Sequence, residues 1–185
     1  MNYDIIIIGG GAAGVAALKS AYDPSLSILL VEREKTLGGI LKQCIHNGFG
    51  VHHYKEELTG PEYAVRGIED IETLDVDIIT DTTVIDVEKT NGLFNVRMTN
   101  TKDGDHARSA KSVILSSGCY ERTRGAIQLP GDRPAGIMPA GSAQRYLNME
   151  GYLVGKKVFI LGSGDIGLIM ARRMTLEGAE VKGVA

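Results

Sequence analysis

The chain has few of the features that mark several large classes of protein. Its 20 basic and 23 acidic residues leave a net charge of −3, so it lacks the basic excess of a nucleic-acid-binding protein. Its two cysteines, Cys44 and Cys119, are too few for a disulfide framework or a zinc site, and they suit a reducing cytosol. We therefore expect a cytoplasmic protein with no nucleic-acid partner.

Long apolar runs are also missing near the N-terminus. The uncharged stretch Ile5–Leu18 has 14 residues, of which four are glycine. A spanning helix needs about 20 apolar residues. Asp4 precedes this stretch without a lysine or arginine, which argues against a signal peptide. We predict no membrane span and no targeting segment.

Proline is scarce, whereas glycine is abundant. The chain has five prolines but 24 glycines among its 185 residues, and that glycine share is well above the ordinary share of roughly 7%. This composition indicates tight turns and close backbone approaches rather than disorder. At roughly 150 residues per domain, the length corresponds to one domain and a fraction.

The order of apolar segments predicts an α/β protein. A strand over Ile5–Ile8, a helix over Gly11–Ala21 and a strand over Ser27–Val31 form a βαβ unit. A loop with a short helix follows over residues 37–53. A capping box at Thr59 then predicts a helix over Pro61–Leu74.

The second half of the chain predicts a meander, a linker and a second βαβ unit. Between Ile78 and Leu115 we expect three meander strands and then a core strand, with a hairpin turn at Asn91-Gly92. Gly125–Gly141 holds three prolines and is expected to be a linker. A strand, a turn and a helix follow, over Lys156–Leu161, Gly162–Gly167 and Ile166–Leu176. The predicted domains are residues 1–120, a linker over 121–150, and the beginning of a second domain over 151–185.

The sequence Gly9-Gly10-Gly11-Ala12-Ala13-Gly14 directly follows the isoleucine strand. Gly9, Gly11 and Gly14 match the three glycines of the dinucleotide fingerprint, which make the tight turn, admit a pyrophosphate and let the helix pack on the strand. Glu32 stands 18 residues after Gly14, at the end of the second strand, where a carboxylate accepts hydrogen bonds from ribose hydroxyls. The plainer alternative is a glycine-rich turn with a surface glutamate.

A second fingerprint begins 153 positions after the first. It is Gly162-Ser163-Gly164-Asp165-Ile166-Gly167, again after an apolar strand. Two such units indicate either two dinucleotides or one site and one relic. Asp165 fits the start of a helix better than the role of a catalytic acid.

Taken together, these motifs resemble the FAD-dependent pyridine nucleotide-disulfide oxidoreductase superfamily. The resemblance rests on both fingerprints, Glu32, the Leu37-Gly38-Gly39 turn, the Ser116-Ser117-Gly118 strand end and Leu129-Pro130-Gly131. It implies a Rossmann-like FAD/NAD(P)-binding fold with a β-meander insertion and the start of a second Rossmann unit. It also implies FAD in the first unit and NAD(P)H in the second.

Cofactor contacts are expected at the two fingerprints and at the turns beside them. The predicted residues are Gly9, Gly11, Ala12, Ala13, Gly14, Glu32, Arg33, Gly39, Ser117, Gly118, Gly162, Gly164, Asp165, Ile166 and Gly167.

Two further segments resemble a narrower group within the superfamily. They are residues 38–50 and Arg133-Pro134-Ala135-Gly136. The group includes the flavoprotein that accompanies an FAD-linked glycerol-3-phosphate dehydrogenase, and FAD subunits of sarcosine oxidase, opine and proline dehydrogenases and hydrogen cyanide synthase. This resemblance implies a partner dehydrogenase subunit and leaves a homo-oligomer open.

One departure from the superfamily concerns its dithiol. Disulfide reductases of this superfamily carry a C-x4-C pair where this chain has Leu41 and His46, so disulfide reduction of that type is not expected. Cys44 is either a flavin-facing thiol of lowered pKa or a small buried residue. His46 is either a proton donor or an anion contact near the flavin, or it is a histidine that caps a turn or lies in the core. His52 and His53 are adjacent and have no carboxylate cluster nearby in sequence, so we predict no metal site.

The expected activity is hydride transfer between NAD(P)H and FAD, with electrons passed to a partner protein or a small acceptor. The alternatives are a single-cysteine flavin peroxidase or oxidase using Cys44 and a non-catalytic dinucleotide-binding module.

Two features expected of the superfamily are not found in the sequence. The position equivalent to Glu32 in the second unit falls at or just beyond Ala185. The Gly-Asp segment that lies near the flavin in the superfamily is also not in the sequence. We therefore expect a fragment of a longer parent that holds FAD weakly and is reduced by NADH slowly or not at all.

Overall fold

The computed structural model describes residues 2–185, which form two compact units. The first unit consists of residues 2–42 and 47–118, and the second of residues 43–46 and 119–185. Each unit has hydrophobic clusters made of its own residues.

The first unit carries eight strands, two α-helices and a short 3₁₀ helix. In chain order they are β1 (Asn2–Ile8), α1 (Ala12–Ala21), β2 (Ile28–Val31), the 3₁₀ helix (Gly39–Gln43, whose last residue belongs to the second unit), β3 (Asn47–Phe49), β4 (Leu58–Thr59), α2 (Gly60–Glu72), β5 (Asp77–Ile79), β6 (Thr82–Thr90), β7 (Leu93–Asn100) and β8 (Gly104–Leu115). Six of these strands form one sheet in the order β5-β2-β1-β8-β7-β6, and β3 pairs with β4 separately.

Strand β1 lies in the centre of the parallel part of the sheet. Ile5 is opposite Ile28 of β2 on one side and Ser112 of β8 on the other. Successive isoleucines point to opposite faces, so Ile7 packs in the cluster beneath α1 and α2 while Ile6 packs in the cluster that includes Met98 of β7. Burial on both faces explains the run of β-branched residues.

The predicted helices and the hairpin are confirmed. Helix α2 begins with the capping box: the Thr59 backbone N–H donates to the Glu62 carboxylate at 2.8 Å, and the Glu62 N–H donates to Thr59 Oγ1 at 3.5 Å. Asn91 and Gly92 have φ of 53° and 83°, and two positive φ values are those of a tight hairpin turn.

The meander differs from the prediction in one respect. The third meander strand and the core strand are a single strand, β8, which pairs antiparallel with β7 and parallel with β1. No glycine or proline interrupts residues 105–115, so nothing in the sequence breaks this strand.

The second unit contains α3 (Ala140–Met149), β9 (Lys157–Ile160), α4 (Asp165–Leu176) and β10 (Glu180–Val184). Helix α3 lies inside the segment 121–150 that the sequence predicted as a linker, so this part of the prediction missed a helix. Ala143 and Leu147 on α3 pack against Met170 and Met174 on α4, which places α3 in the core of the second unit. Strands β9 and β10 form the expected parallel pair.

Candidate functional site

The first glycine-rich turn connects β1 to α1 and is held by the neighbouring strands. The Gly9 N–H donates to the Val31 carbonyl at 2.8 Å, and Gly9 has a φ of +105°, a conformation that favours glycine. A β-carbon at Gly9 would also lie 2.4 Å from the Ser116 carbonyl oxygen. The first glycine of the motif is therefore required by the turn and by the close passage of β8.

The other two glycines of this turn have different surroundings. A β-carbon at Gly14 would lie 1.8 Å from the Gly9 carbonyl oxygen, so the third glycine lets α1 pack onto the turn. A β-carbon at Gly11 would meet Gly39 Cα at 3.9 Å and no nearer atom of residues 2–185, its chain neighbours aside. The fold thus leaves space above Gly11, as a backbone that cradles a pyrophosphate requires.

The N-terminus of α1 adds a positive electrostatic end at this place. Its N-cap is Gly11, which has no side chain to accept the first N–H groups, and its first turn carries no acidic residue. Ala12 and Ala13 are exposed there. Uncapped N–H groups and the helix dipole together favour an anion such as a phosphate.

Two further turns converge on the same glycines. Gly39 has a φ of +52°, and a β-carbon on it would lie 3.0 Å from Gly11 Cα. The Gly38 N–H donates to the Gly10 carbonyl at 2.9 Å. From the end of β8, Ser116 Oγ donates to the carbonyls of Ile8 and Gly9, each at 3.0 Å. Ser116, which was not among the residues predicted from the sequence, therefore supports the turn directly.

Glu32 is buried at the end of β2, with 6% of its surface exposed. Its Oε2 accepts from the Gly10 N–H at 2.6 Å, and its Oε1 accepts from the Glu34 N–H at 2.8 Å. A carboxylate offers about four lone-pair sites, so both oxygens retain capacity for ribose hydroxyls. Glu32 thus also holds the glycine-rich turn in place, a role that its position in the sequence did not indicate.

Three more predicted residues of this unit, Arg33, Ser117 and Gly118, lie around the turn and are exposed. Arg33 follows Glu32 with an exposed side chain, and its Nε lies 4.0 Å from Glu34 Oε1. Ser117 and Gly118 follow Ser116 and are exposed. Gly14 is buried because α1 packs onto the turn through it.

The second glycine-rich turn repeats this division of roles. Gly162 has a φ of +121°, and a β-carbon at Gly167 would lie 2.1 Å from the Gly162 carbonyl oxygen. A β-carbon at Gly164 would meet no atom of residues 2–185 within 4 Å, apart from its chain neighbours. Asp165 begins α4, and Ile166 follows it in an exposed position.

The strand pairing fixes the correspondence between the two units. The Gly162 N–H donates to the Ala185 carbonyl, as the Gly9 N–H donates to that of Val31. Ala185 therefore corresponds to Val31, and the position equivalent to Glu32 would be the one after Ala185.

Cys44 and His46 belong to the second unit, whereas the first glycine-rich turn belongs to the first. Both residues are half-buried. Burial raises the pKa of the Cys44 thiol, which is opposite to the lowered pKa expected of a reactive thiolate.

Two other kinds of feature are absent from residues 2–185. No three His, Cys, Asp or Glu side chains cluster closely enough there to hold a metal ion. Nor does any helix in that range combine the length and the apolar character that crossing a bilayer demands.

A cleft of about 450 Å³ lies between α1 and α2. Its lining includes Lys19, Tyr54, Tyr63 and Asp70, and of the predicted cofactor residues only Ala12. Because the cleft shares only Ala12 with the predicted cofactor residues, it does not define the predicted nucleotide site.

Two glycine-rich turns, each between a parallel strand and the helix that follows, define a protein with a Rossmann-like FAD/NAD(P)-binding fold. The chain belongs to the pyridine nucleotide-disulphide oxidoreductase family, which it matches over residues 3–184.

The relatives of the chain include several oxidoreductases. The chain is 28% identical to a ferredoxin–NADP reductase of Leuconostoc citreum, an alignment that covers 96% of this chain and 51% of the reductase. It is 25% identical to hydrogen cyanide synthase subunit HcnB of Pseudomonas protegens, covering 100% of this chain and 38% of that protein. Among solved structures, L-proline dehydrogenase from P. horikoshii superposes with a TM-score of 0.74 at 21% identity, covering 100% of this chain and 35% of that one.

The chain spans about half or less of the length of these relatives. The likeness to the proline dehydrogenase concerns the fold. The match to a hydrogen cyanide synthase subunit agrees with the narrower group indicated by the sequence.

Proposed function

We propose that this chain forms the dinucleotide-binding part of a flavoprotein that transfers hydride between NAD(P)H and FAD. The observation that carries the proposal is the repeated glycine geometry, in which a strained first glycine and a tightly packed third glycine flank an open second one. When bound, the flavin supplies the redox chemistry, and the protein binds and orients it.

In the first unit, the residues present fit FAD. The open backbone at Gly11 and the first N–H groups of α1 would hold the pyrophosphate. Glu32 would accept hydrogen bonds from the adenosine ribose with its remaining lone pairs. Gly39, Ser117 and Gly118 would border the rest of the cofactor.

In the second unit, Gly164 and the first N–H groups of α4, on Asp165 and Ile166, would hold the pyrophosphate of NAD(P)H. Asp165 places a negative charge in the first turn of α4, which stabilises the helix dipole but opposes a phosphate. We therefore expect weaker binding of nucleotide here than at α1, where the first turn is uncharged.

The electron acceptor is proposed to be a partner subunit or a small molecule. The relative HcnB is named as a subunit of a larger enzyme, which supports a partner protein. A single-cysteine peroxidase is disfavoured, because the burial that raises the pKa of Cys44 lowers its thiolate fraction at neutral pH.

The test is an anaerobic absorbance spectrum of the purified protein before and after addition of NADH or NADPH. We expect the band of oxidised flavin to fade with at least one of them, and to do so slowly because nucleotide binds weakly at the second turn. Gly164→Val is the matched variant for the second site: it should retain FAD and lose reduction by nicotinamide. A protein that holds FAD but is not reduced by either nucleotide would contradict the proposal and favour a non-catalytic binding module.

A further inference from the structure

Gln43 is held by α3 through both its side chain and its backbone. The side chain is buried, and its Nε2 donates to the Gly141 carbonyl at 3.1 Å and to Gln144 Oε1 at 3.0 Å. Asn148 Nδ2 donates to the Gln43 carbonyl at 2.8 Å. A residue at the end of the 3₁₀ helix is thus fixed by three residues about 100 positions later in the chain.

The same contacts continue to α4. Asn148 Oδ1 accepts from Arg173 Nε at 3.1 Å, and Arg173 also pairs with Glu177 at 2.6 Å. The polar chain from Arg173 through Asn148 to Gln43 therefore ties the segment Gln43–His46 to the two helices of the second unit. This explains why that segment groups with the second unit although its sequence neighbours belong to the first.

Gln144 is the most deeply buried member of the group, with 1% of its surface exposed. Its Oε1 accepts from Gln43, while its Nε2 has no hydrogen-bond partner among residues 2–185. Buried amides normally have all their hydrogen bonds satisfied. Gln144 therefore takes part in this group through its acceptor oxygen, which is the partner of Gln43 Nε2.

The residue that follows Gln43 is Cys44. Its thiol is half-buried, whereas Cys119 in the same unit is exposed. The reactivity of a thiol towards alkylating agents and oxidants follows its exposure and its thiolate fraction. Cys44 directly follows Gln43, so the contacts that fix Gln43 also restrict the backbone that carries the thiol.

We propose that Gln43 and Gln144 are positioning residues that fix the Cys44–His46 segment on α3 and keep the Cys44 thiol protected from alkylation and oxidation. The proposal goes beyond the proposed function, because it requires no bound nucleotide. It assigns a positioning role to the Gln43 and Gln144 side chains. It also describes Cys44 as a protected thiol rather than a nucleophile.

The experiment measures alkylation of each cysteine of the full chain by iodoacetamide, without added nucleotide, by mass spectrometry of the two cysteine peptides. Cys119 serves as the internal reference. Gln144→Leu removes the acceptor for Gln43, and we expect Cys44 to react roughly ten times faster while Cys119 is unchanged. Gln144→Glu keeps an acceptor oxygen at the same place and should restore the rate of Cys44 to within about twofold of the wild type.

Asn148→Ala provides an independent arm, because Asn148 is only partly buried and contacts the Gln43 carbonyl rather than its side chain. It should accelerate alkylation of Cys44 less than Gln144→Leu does. If Gln144→Leu fails to fold, as judged by circular dichroism, Asn148→Ala decides the question. Unchanged alkylation of Cys44 in folded Gln144→Leu, or in Asn148→Ala when the former does not fold, overturns the proposal. Since flavin binding does not enter the assay, this result is independent of whether the proposed oxidoreductase activity is found.

Discussion

At the scale of single residues, the three glycines of the first turn are not equivalent. Gly9 is needed for its backbone conformation and Gly14 for its contact with the Gly9 carbonyl, so both are requirements of folding. Gly11 makes no comparable contact, and its φ of −76° is accessible to any residue. Under the proposed function, glycine is required there by the pyrophosphate that the turn would hold.

The first prediction separates these roles. Gly11→Val should lower the melting temperature only slightly, because valine is a poorer N-cap than glycine. It should lose most of its FAD, because the branched side chain fills the space above the turn. Gly14→Ala should melt at a lower temperature even without FAD, because its β-carbon would overlap the Gly9 carbonyl. Flavin absorbance per protein and thermal melting of the FAD-free protein measure the two effects. Full FAD occupancy in Gly11→Val would show that this turn does not hold the flavin.

The second prediction concerns Glu32. Glu32→Ala should weaken FAD binding by about 1.5–3 kcal/mol, because ribose hydroxyls lose a charged acceptor. It should also lower the stability of the FAD-free protein, because the Gly10 N–H loses its partner. Glu32→Gln keeps one acceptor oxygen and should have smaller effects on both. The measurements are FAD titration and chemical unfolding, and an FAD dissociation constant that is the same in wild type and Glu32→Ala would disprove the ribose contact.

At the scale of elements, the sequence predicted the helices, strands and turns whose own residues specify them. The isoleucines of β1, the capping box of α2 and the Asn91-Gly92 turn each specify their own structure, and both glycine-rich turns were located from their spacing. Helix α3 was missed because Pro130, Pro134 and Pro139 dominate the segment before it, although Ala143 and Leu147 have the four-residue spacing of a buried helix face. The support from Ser116 and the Gln43–Gln144 pair were missed because they join positions about 100 residues apart. No local sequence pattern indicates contacts between residues so far apart in the chain.

The third prediction concerns the edge where β1 meets its two neighbours. The Asp4 carboxylate accepts from Lys111 Nζ of β8 at 2.6 Å and from the Ser27 N–H and hydroxyl before β2, each at 2.9 Å. The hydrogen bond from Lys111, then those from Ser27, lower the pKa of Asp4 to about 2. A carboxyl whose pKa is lower when folded stabilises the protein fully above its unfolded pKa of about 4, and this stabilisation is lost as the pH falls through about 2.

Lys111→Met should therefore raise the pKa of Asp4 towards the ordinary value and move the acid loss of stability to higher pH. An NMR titration of the Asp4 carboxyl measures the pKa, and unfolding curves as a function of pH measure the stability. Lys35→Met removes an exposed charge beyond the opposite end of β2 and should leave the pKa of Asp4 unchanged. If Lys111→Met also leaves it unchanged, the ion pair does not form in solution.

At the scale of the whole molecule, the hydrophobic clusters are divided between the two units. The clusters around Ile6 and Ile7 contain residues of the first unit, and the cluster around Met170 contains residues of the second. Loss of packing in one cluster should thus destabilise mainly the unit that contains this cluster.

The fourth prediction tests this division with two matched core residues. Met170 and Leu18 are 1% and 0% exposed. Met170→Ala should cost about 2–5 kcal/mol and accelerate amide hydrogen exchange in α3, α4, β9 and β10. Leu18→Ala should do the same in β1, β2, α1 and α2. Hydrogen exchange followed by mass spectrometry distinguishes these patterns, and equal loss of protection in both units for either variant would mean that the molecule unfolds as one cooperative body.

The place of β8 beside β1 has a consequence for the order of folding. The Ser116 hydroxyl closes the first glycine-rich turn from 107 positions away along the chain. Contacts of such separation carry a large loop-closure entropy and form slowly. During synthesis on a ribosome, the turn that follows β1 is completed only when β8 has been made. The helices of the first unit and the rest of the meander are made before that. The predicted nucleotide surface is then among the last parts of the first unit to mature, although its fingerprint precedes most of that unit in the chain.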